Sequence, residues 1–126
     1  PVFYLVDSHK ADDPEVLRVG EHCMEGTEGA RVAEGLEPRE GDMIITKREQ
    51  SAFANPALVK KLEELGIEEV WEAGDVCVYP NAKDLLQRGI RVKVFGEALG
   101  CPYGQEKLMK ELEAFEIPLI RIDELR

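Results

Sequence analysis

The sequence predicts an α/β fold, a parallel doubly wound sheet with flanking helices, formed over residues 1–126 as a single domain. Two observations predict it. Short apolar runs of strand length alternate with segments whose leucines recur at helical spacing. A helix, then Gly or a short turn, then Ile and a strand occurs three times, at Leu65-Gly66-Ile67, Arg88-Gly89-Ile90 and Phe115-Glu116-Ile117. Strands separated by helices require right-handed crossovers, and these make the sheet parallel.

The elements follow in order. Val2-Phe3-Tyr4-Leu5-Val6 is a continuous apolar run, as expected of a buried strand, and it ends in Asp7-Ser8-His9. Residues 10–39 hold Pro14, Gly20, Gly26, Gly29, Gly35 and Pro38 and read as loop, with a short helix near 30–34. A second strand over 42–46, around Met43-Ile44-Ile45, ends at Lys47. Asn55 suits an N-cap and Pro56 a first helical turn; Leu58, Leu62 and Leu65 supply the apolar stripe, and Gly66 the stop. Val70-Trp71 marks a third strand. Val78, Ala82, Leu85 and Leu86 form one face of the next helix, ended by Gly89. Residues 90–95 alternate as a strand, Leu108, Leu112 and Phe115 line a third helix, and 118–122 form the last strand.

Composition narrows the function. The chain has a formal net charge of −10, which repels phosphate backbones and anionic bilayers, so neither nucleic acid nor membrane is an expected partner. No apolar run is long enough to span a bilayer, and no signal peptide precedes the first strand. Pro1 is a residue expected after removal of an initiator Met, so a cytoplasmic location is expected. Cys23, Cys77 and Cys101 are odd in number and include no CxxC pair, which argues for thiols rather than a disulfide framework or zinc knuckle.

In open parallel sheets, ligands bind beyond the carboxyl ends of the strands. The predicted topology brings Asp7, His9, Lys47 and the Cys77 segment to that edge. Cys77, in Ala73-Gly74-Asp75-Val76-Cys77-Val78, lies where a helix begins; the positive end of the helix dipole there favours thiolate. The same placement also suits a thiol packed between strand and helix. Lys47, at a strand end before Ser51-Ala52-Phe53, suits proton transfer or thiolate stabilisation, or simply solvation. His9 and His22 are the only histidines. With Asp7 they offer one carboxylate and two imidazoles, a set that holds Zn²⁺ or Fe²⁺ with open positions, although loop histidines also occur as plain polar residues.

Taken in order, these segments resemble the nicotinamidase/isochorismatase family of cysteine hydrolases. Val2 to His9 is similar to the family's strand ending in D-x-H. His22-Cys23-Met24-Glu25-Gly26-Thr27-Glu28-Gly29-Ala30 is similar to its HCxxGTxGA segment. Lys47 to Phe53 resembles its strand-end lysine followed by SAF. Asp75-Val76-Cys77-Val78, with Asn81-Ala82-Lys83-Asp84 and Gly89, resembles its DxCVxxTAxDA helix start.

The resemblance implies an isochorismatase-like fold and hydrolysis of a small amide through a thioester. Cys77 is then the nucleophile, Lys47 its proton-transfer partner, and Val76 and Phe53 line the substrate. Asp7, His9 and His22 hold a divalent metal, Zn or Fe. The isochorismatase branch generally lacks that metal set, so the chain leans towards nicotinamidases. Three departures stand out. The family's catalytic Asp, in a DMQxDF-like first strand, is absent from residues 1–126. Trp71 and Gly74 replace Gly and Thr before the cysteine, and Asn81 replaces Thr after it. These departures keep a second expectation open, a catalytically degenerate relative acting as a small-molecule- or metal-binding domain or assembly subunit. Lack of a central strand leaves an open edge, which favours a homo-oligomer.

Overall fold

The computed structural model describes residues 1–101 and 104–125. Among the described residues, five strands and four α-helices alternate: β1 Phe3–Asp7, α1 Pro14–Val19, β2 Met43–Lys47, α2 Pro56–Glu64, β3 Glu69–Gly74, α3 Val78–Gln87, β4 Arg91–Leu99, α4 Glu106–Ala114 and β5 Leu119–Ile120. Every strand pair is parallel. The α/β fold expected from the sequence is therefore the fold observed. The strands form two sheets, ordered β1-β2 and β3-β4-β5. Among the described residues, β1 and β3 each pair along one edge only.

The chain folds as two compact units, Pro1–Lys61 and Leu62–Arg126, divided within α2. No helix among the described residues is long and apolar enough to cross a membrane.

In the first unit, β1 and β2 run in register from Phe3 opposite Met43 to Asp7 opposite Lys47. The ladder continues one step further through Ser8 N–H donating to the Lys47 carbonyl, at 2.9 Å. The shared register brings the two strands' carboxyl ends level, so Asp7 and Lys47 lie side by side on one face. The expected helix over 30–34 does not form. A 3₁₀ turn occupies Glu28–Ala30 instead, and most of the side chains from 31 to 41 are exposed, leaving no apolar face to bury. The loop reading of residues 10–39 also misses α1. Pro14 opens that helix, Val16 is its one buried residue, and six residues are too few for a periodic signal.

In the second unit, alternation along β4 buries Val92 and Val94, while α3 contributes Val78, Ala82 and Leu85, and α4 contributes Leu108 and Leu112. Leu112 is 1% exposed. Its truncation to Ala costs about 2–5 kcal/mol, because lost burial and a residual cavity add. The opposite face carries Trp71 against Phe95, edge-on at 5.7 Å, with Lys93 Nζ 5.3 Å from the Trp71 ring centre. β4 is longer than its sequence pattern suggests. A register shift between Glu72 and Gly74 lets Gly74 pair with Leu99, so the strand continues four residues past Phe95.

Candidate functional site

The first unit assembles a polar cluster at the carboxyl ends of β1 and β2. Lys47 Nζ donates to Asp7 Oδ1 at 2.5 Å and to the Glu49 carbonyl at 3.1 Å. The Lys47 side chain is 3% exposed and that of Asp7 32%. A buried ammonium needs such partners, since its desolvation is otherwise uncompensated.

One residue past Ser8, His9 is fully buried. The chain returns beside it, because His9 N–H donates to the Cys23 carbonyl at 2.9 Å and Glu25 N–H donates to the His9 carbonyl at 2.8 Å. Cys23 adopts a left-handed conformation, φ 46°, to make this crossing. The result sets the His9 and His22 rings 4.8 Å apart, inclined at 58°.

Glu15 lies in the first turn of α1, and its carboxylate spans both imidazoles. Oε2 is 3.6 Å from His9 Nε2 and Oε1 is 3.7 Å from His22 Nε2. One ligand atom from each of His9, Glu15 and His22 falls within 4.8 Å of the others. That span is a little over twice a Zn–N bond of ~2.0–2.1 Å. His22 Nδ1 donates to the Gly20 carbonyl at 2.8 Å, since a carbonyl only accepts. His22 Nε2 is thereby free to be a ligand. His9 Nε2 is buried and has no hydrogen-bond partner among the described residues. An orphaned imidazole nitrogen beside a carboxylate and a second imidazole is the donor set a divalent metal takes, so these residues fit the group.

Asp7, expected beside the histidines as a third ligand, is held by Lys47; the carboxylate that meets both imidazoles is that of Glu15. Sequence reasoning missed Glu15. The signal was Asp13-Pro14-Glu15, in which proline at the first helical position puts Glu15 in the first turn.

Behind His9 stands Asp13. Its Oδ2 is 3.1 Å from His9 Nδ1 and accepts from the Lys10 N–H at 3.0 Å; its Oδ1 accepts from Arg48 Nε at 2.8 Å and from Arg48 Nη2. The Arg48 guanidinium holds the Asp13 carboxyl well below the ordinary carboxylate range. Burial, followed by the charge of Asp7, pushes the Cys23 thiol above its usual value, the wrong direction for a nucleophile. Phe53 is half-buried in a 3₁₀ turn, Ala52–Ala54, whose Ser51 Oγ accepts its N–H at 3.2 Å.

The second unit holds Cys77, Val76 and the turn that presents them. Cys77 is the N-cap of α3 and half-buried; Val76 is 48% exposed. Asp75 Oδ1 accepts the Cys77 N–H at 3.3 Å, and its carbonyl accepts from Val78 N–H at 3.0 Å, closing a tight turn. Buried Asn81 donates from Nδ2 to the Cys77 carbonyl at 2.8 Å. Asn81 thus performs structural work that explains its place in the helix. Gly74 has φ 153°, and a Cβ there would lie 3.2 Å from Val78 Cγ2. Only glycine lets the strand enter this turn without strain. Two residues earlier, burial raises the Glu72 carboxyl to about 8, and its Oε2 is buried with no hydrogen-bond partner among the described residues.

The family profile described as "Isochorismatase domain" matches residues 1–123. The chain belongs to the isochorismatase family. Among curated proteins, this isochorismatase-family chain is similar to a secreted isochorismatase effector from Verticillium dahliae, 34% identical over 106 residues, which are 76% of this chain and 56% of that protein. The chain spans about half the length, or less, of the curated relatives it matches. Among solved structures it resembles an N-carbamoylsarcosine amidase from Thermoplasma acidophilum, with TM-score 0.88 and 31% identity, covering 96% of this chain and 72% of that one. It also resembles a nicotinamidase from Bacillus subtilis, with TM-score 0.84 and 28% identity, covering 95% and 74%.

Proposed function

We propose that this isochorismatase-family chain forms one domain over 1–126 and is a cysteine amidohydrolase acting on a small amide. Cys77 is the nucleophile. The observation that carries the reading is its place as the N-cap of α3, directly after a parallel strand, in a chain matched by the family over 1–123. Similarity to an amidase and a nicotinamidase supports the amide as substrate class.

The thiolate attacks the amide carbonyl carbon and forms a C–S bond. The helix dipole stabilises that thiolate. The charge that develops on the carbonyl oxygen is met by backbone N–H groups of the 75–78 turn, among them that of Cys77, whose long bond to Asp75 Oδ1 is readily exchanged. The C–N bond breaks and ammonia leaves with a proton that Lys47 relays. Water then cleaves the thioester, releasing the acid and the thiol. Val76 and Phe53 supply apolar surface to the substrate. Asp7, His9 and His22 would hold a divalent metal, zinc or ferrous iron, with the Glu15 carboxylate beside both imidazoles, and the metal would supply a Lewis acid for orienting a substrate group. A cytoplasmic location and a homo-oligomer complete the reading.

The test is ammonia release from a panel of small primary amides, nicotinamide included, by the full-length protein and its Cys77→Ala variant. Loss of turnover in the variant supports the reading, and unchanged turnover defeats it. A second reading, a degenerate relative that binds a small molecule or metal or serves in an assembly, is favoured by Trp71, Gly74 and Asn81 in the cysteine loop. Stoichiometric bound metal with no turnover on the whole panel selects it.

A further inference from the structure

We propose that Asp13, clamped by Arg48, is a positioning residue that fixes the tautomer and ring orientation of His9, so that Nε2 presents its lone pair towards Glu15 and His22. The inference rests on the metal reading for its purpose, but not for its geometry.

Asp13 is the N-cap of α1, yet its side chain makes no capping bond. A capping aspartate usually accepts an N–H from the helix's first turn. Here the carboxylate is turned instead to His9 Nδ1, at 3.1 Å, with side-chain exposures of 0% and 2%. Its other partners are all donors: Arg48 Nε and Nη2, and the Lys10 N–H. A carboxylate bound by three donor groups acts as an acceptor towards the fourth, so His9 Nδ1 carries the proton.

The consequence appears on the other side of the ring. With Nδ1 carrying the ring's one proton, the lone pair is on Nε2, and that atom is buried with no hydrogen-bond partner among the described residues. Glu15 Oε2 faces it at 3.6 Å. His22 repeats the pattern with a different orienter, the Gly20 carbonyl on Nδ1, and Glu15 Oε1 lies 3.7 Å from its Nε2. Three acceptors thus converge, because each ring carries its proton on the far nitrogen, and a cation would relieve their mutual repulsion. Arg48 is half-exposed and pairs with Asp13. Its part is to hold Asp13 in place, a support shell behind the ligand.

The experiment has two readouts. Long-range ¹H–¹⁵N correlation of the imidazoles in metal-free protein reads the tautomer directly. The expected result is Nδ1–H for His9; an Nε2–H tautomer or a doubly protonated ring at neutral pH overturns the proposal, whether or not any metal binds. Competition for Zn²⁺ against a chromophoric chelator, at fixed pH, reads affinity. Asp13→Ala is expected to weaken Zn²⁺ binding by about 10–100-fold, the usual effect of losing an outer-shell partner. Arg48→Gln, at a half-exposed position and so less demanding on folding, is expected to move affinity in the same direction by a smaller factor. Folded Asp13→Ala or Arg48→Gln protein with wild-type affinity and an unchanged His9 tautomer also overturns the proposal. If wild-type protein binds no Zn²⁺ while His9 remains Nδ1–H, the metal reading fails and the positioning role stands.

Discussion

Lys47 Nζ lies 2.5 Å from Asp7 Oδ1, across the last in-register position of two parallel strands. The two residues are unequal: Lys47 is buried, whereas the Asp7 side chain is about one-third exposed, at 32%. Removing either partner therefore has a different cost. Asp7→Ala leaves an ammonium buried without its carboxylate, and is expected to destabilise the protein by about 2–4 kcal/mol, at or below the range for broken buried pairs. Lys47→Met leaves Asp7 able to hydrate, and is expected to cost about 1–2 kcal/mol less. Urea denaturation of both variants checks the order; a less stable Lys47→Met contradicts it.

Gly74 combines φ 153° with a Cβ position 3.2 Å from Val78 Cγ2. Gly74→Ala strains the backbone and pushes against the first turn of α3, the turn that carries Cys77. The expected loss is about 1–3 kcal/mol of stability. Amide turnover should fall further than the loss of folded protein explains. Denaturation and activity measured on the same preparation check both.

Glu72 gives a pH signature. Its ordinary carboxyl value is 4.5, and burial raises it to about 8 in the folded chain. The neutral acid is the favoured folded form, so its contribution is complete below 4.5 and is lost as pH rises through about 8. Relative to Glu72→Gln, wild-type stability should decline across that window by up to about 1.4 kcal/mol per pH unit. Denaturation midpoints of both proteins between pH 4.5 and 8 test this; a constant difference contradicts it.

Glu15 is the carboxylate that reaches both imidazoles, so Glu15→Gln should weaken Zn²⁺ binding more than Asp7→Asn does. Isothermal titration with Zn²⁺ decides the order, and equal or reversed losses return Asp7 to the centre of the metal site.

Much of the fold was legible because its signals are local. Leu58 and Leu62 mark α2 and are both buried; Val78, Ala82 and Leu85 do the same for α3, and Leu108 and Leu112 for α4. The stretch from 10 to 39 was legible least. Its one helix is six residues long and buries only Val16, so its pattern is too brief to separate from loop. The site divided the same way. Cys77 and Lys47 sit at element ends that periodicity locates. Glu15 and Asp13 could not be assigned roles from spacing, because the crossing of 22–25 over His9 is a tertiary event. Asp7 has the D-x-H spacing of a ligand, and register adds what spacing cannot show, the Lys47 ammonium beside its carboxylate. Glu72 carried no signal, since a glutamate in a strand reads as exposed until its neighbours are known.

The claim that Cys77 is the nucleophile of an amide hydrolase has one most direct measurement: intact-mass and peptide mapping of full-length protein quenched during reaction with a small amide. An acyl adduct on the peptide containing Cys77, absent in Cys77→Ala, is the predicted result. Continued turnover with Cys77 unmodified and dispensable would contradict the account.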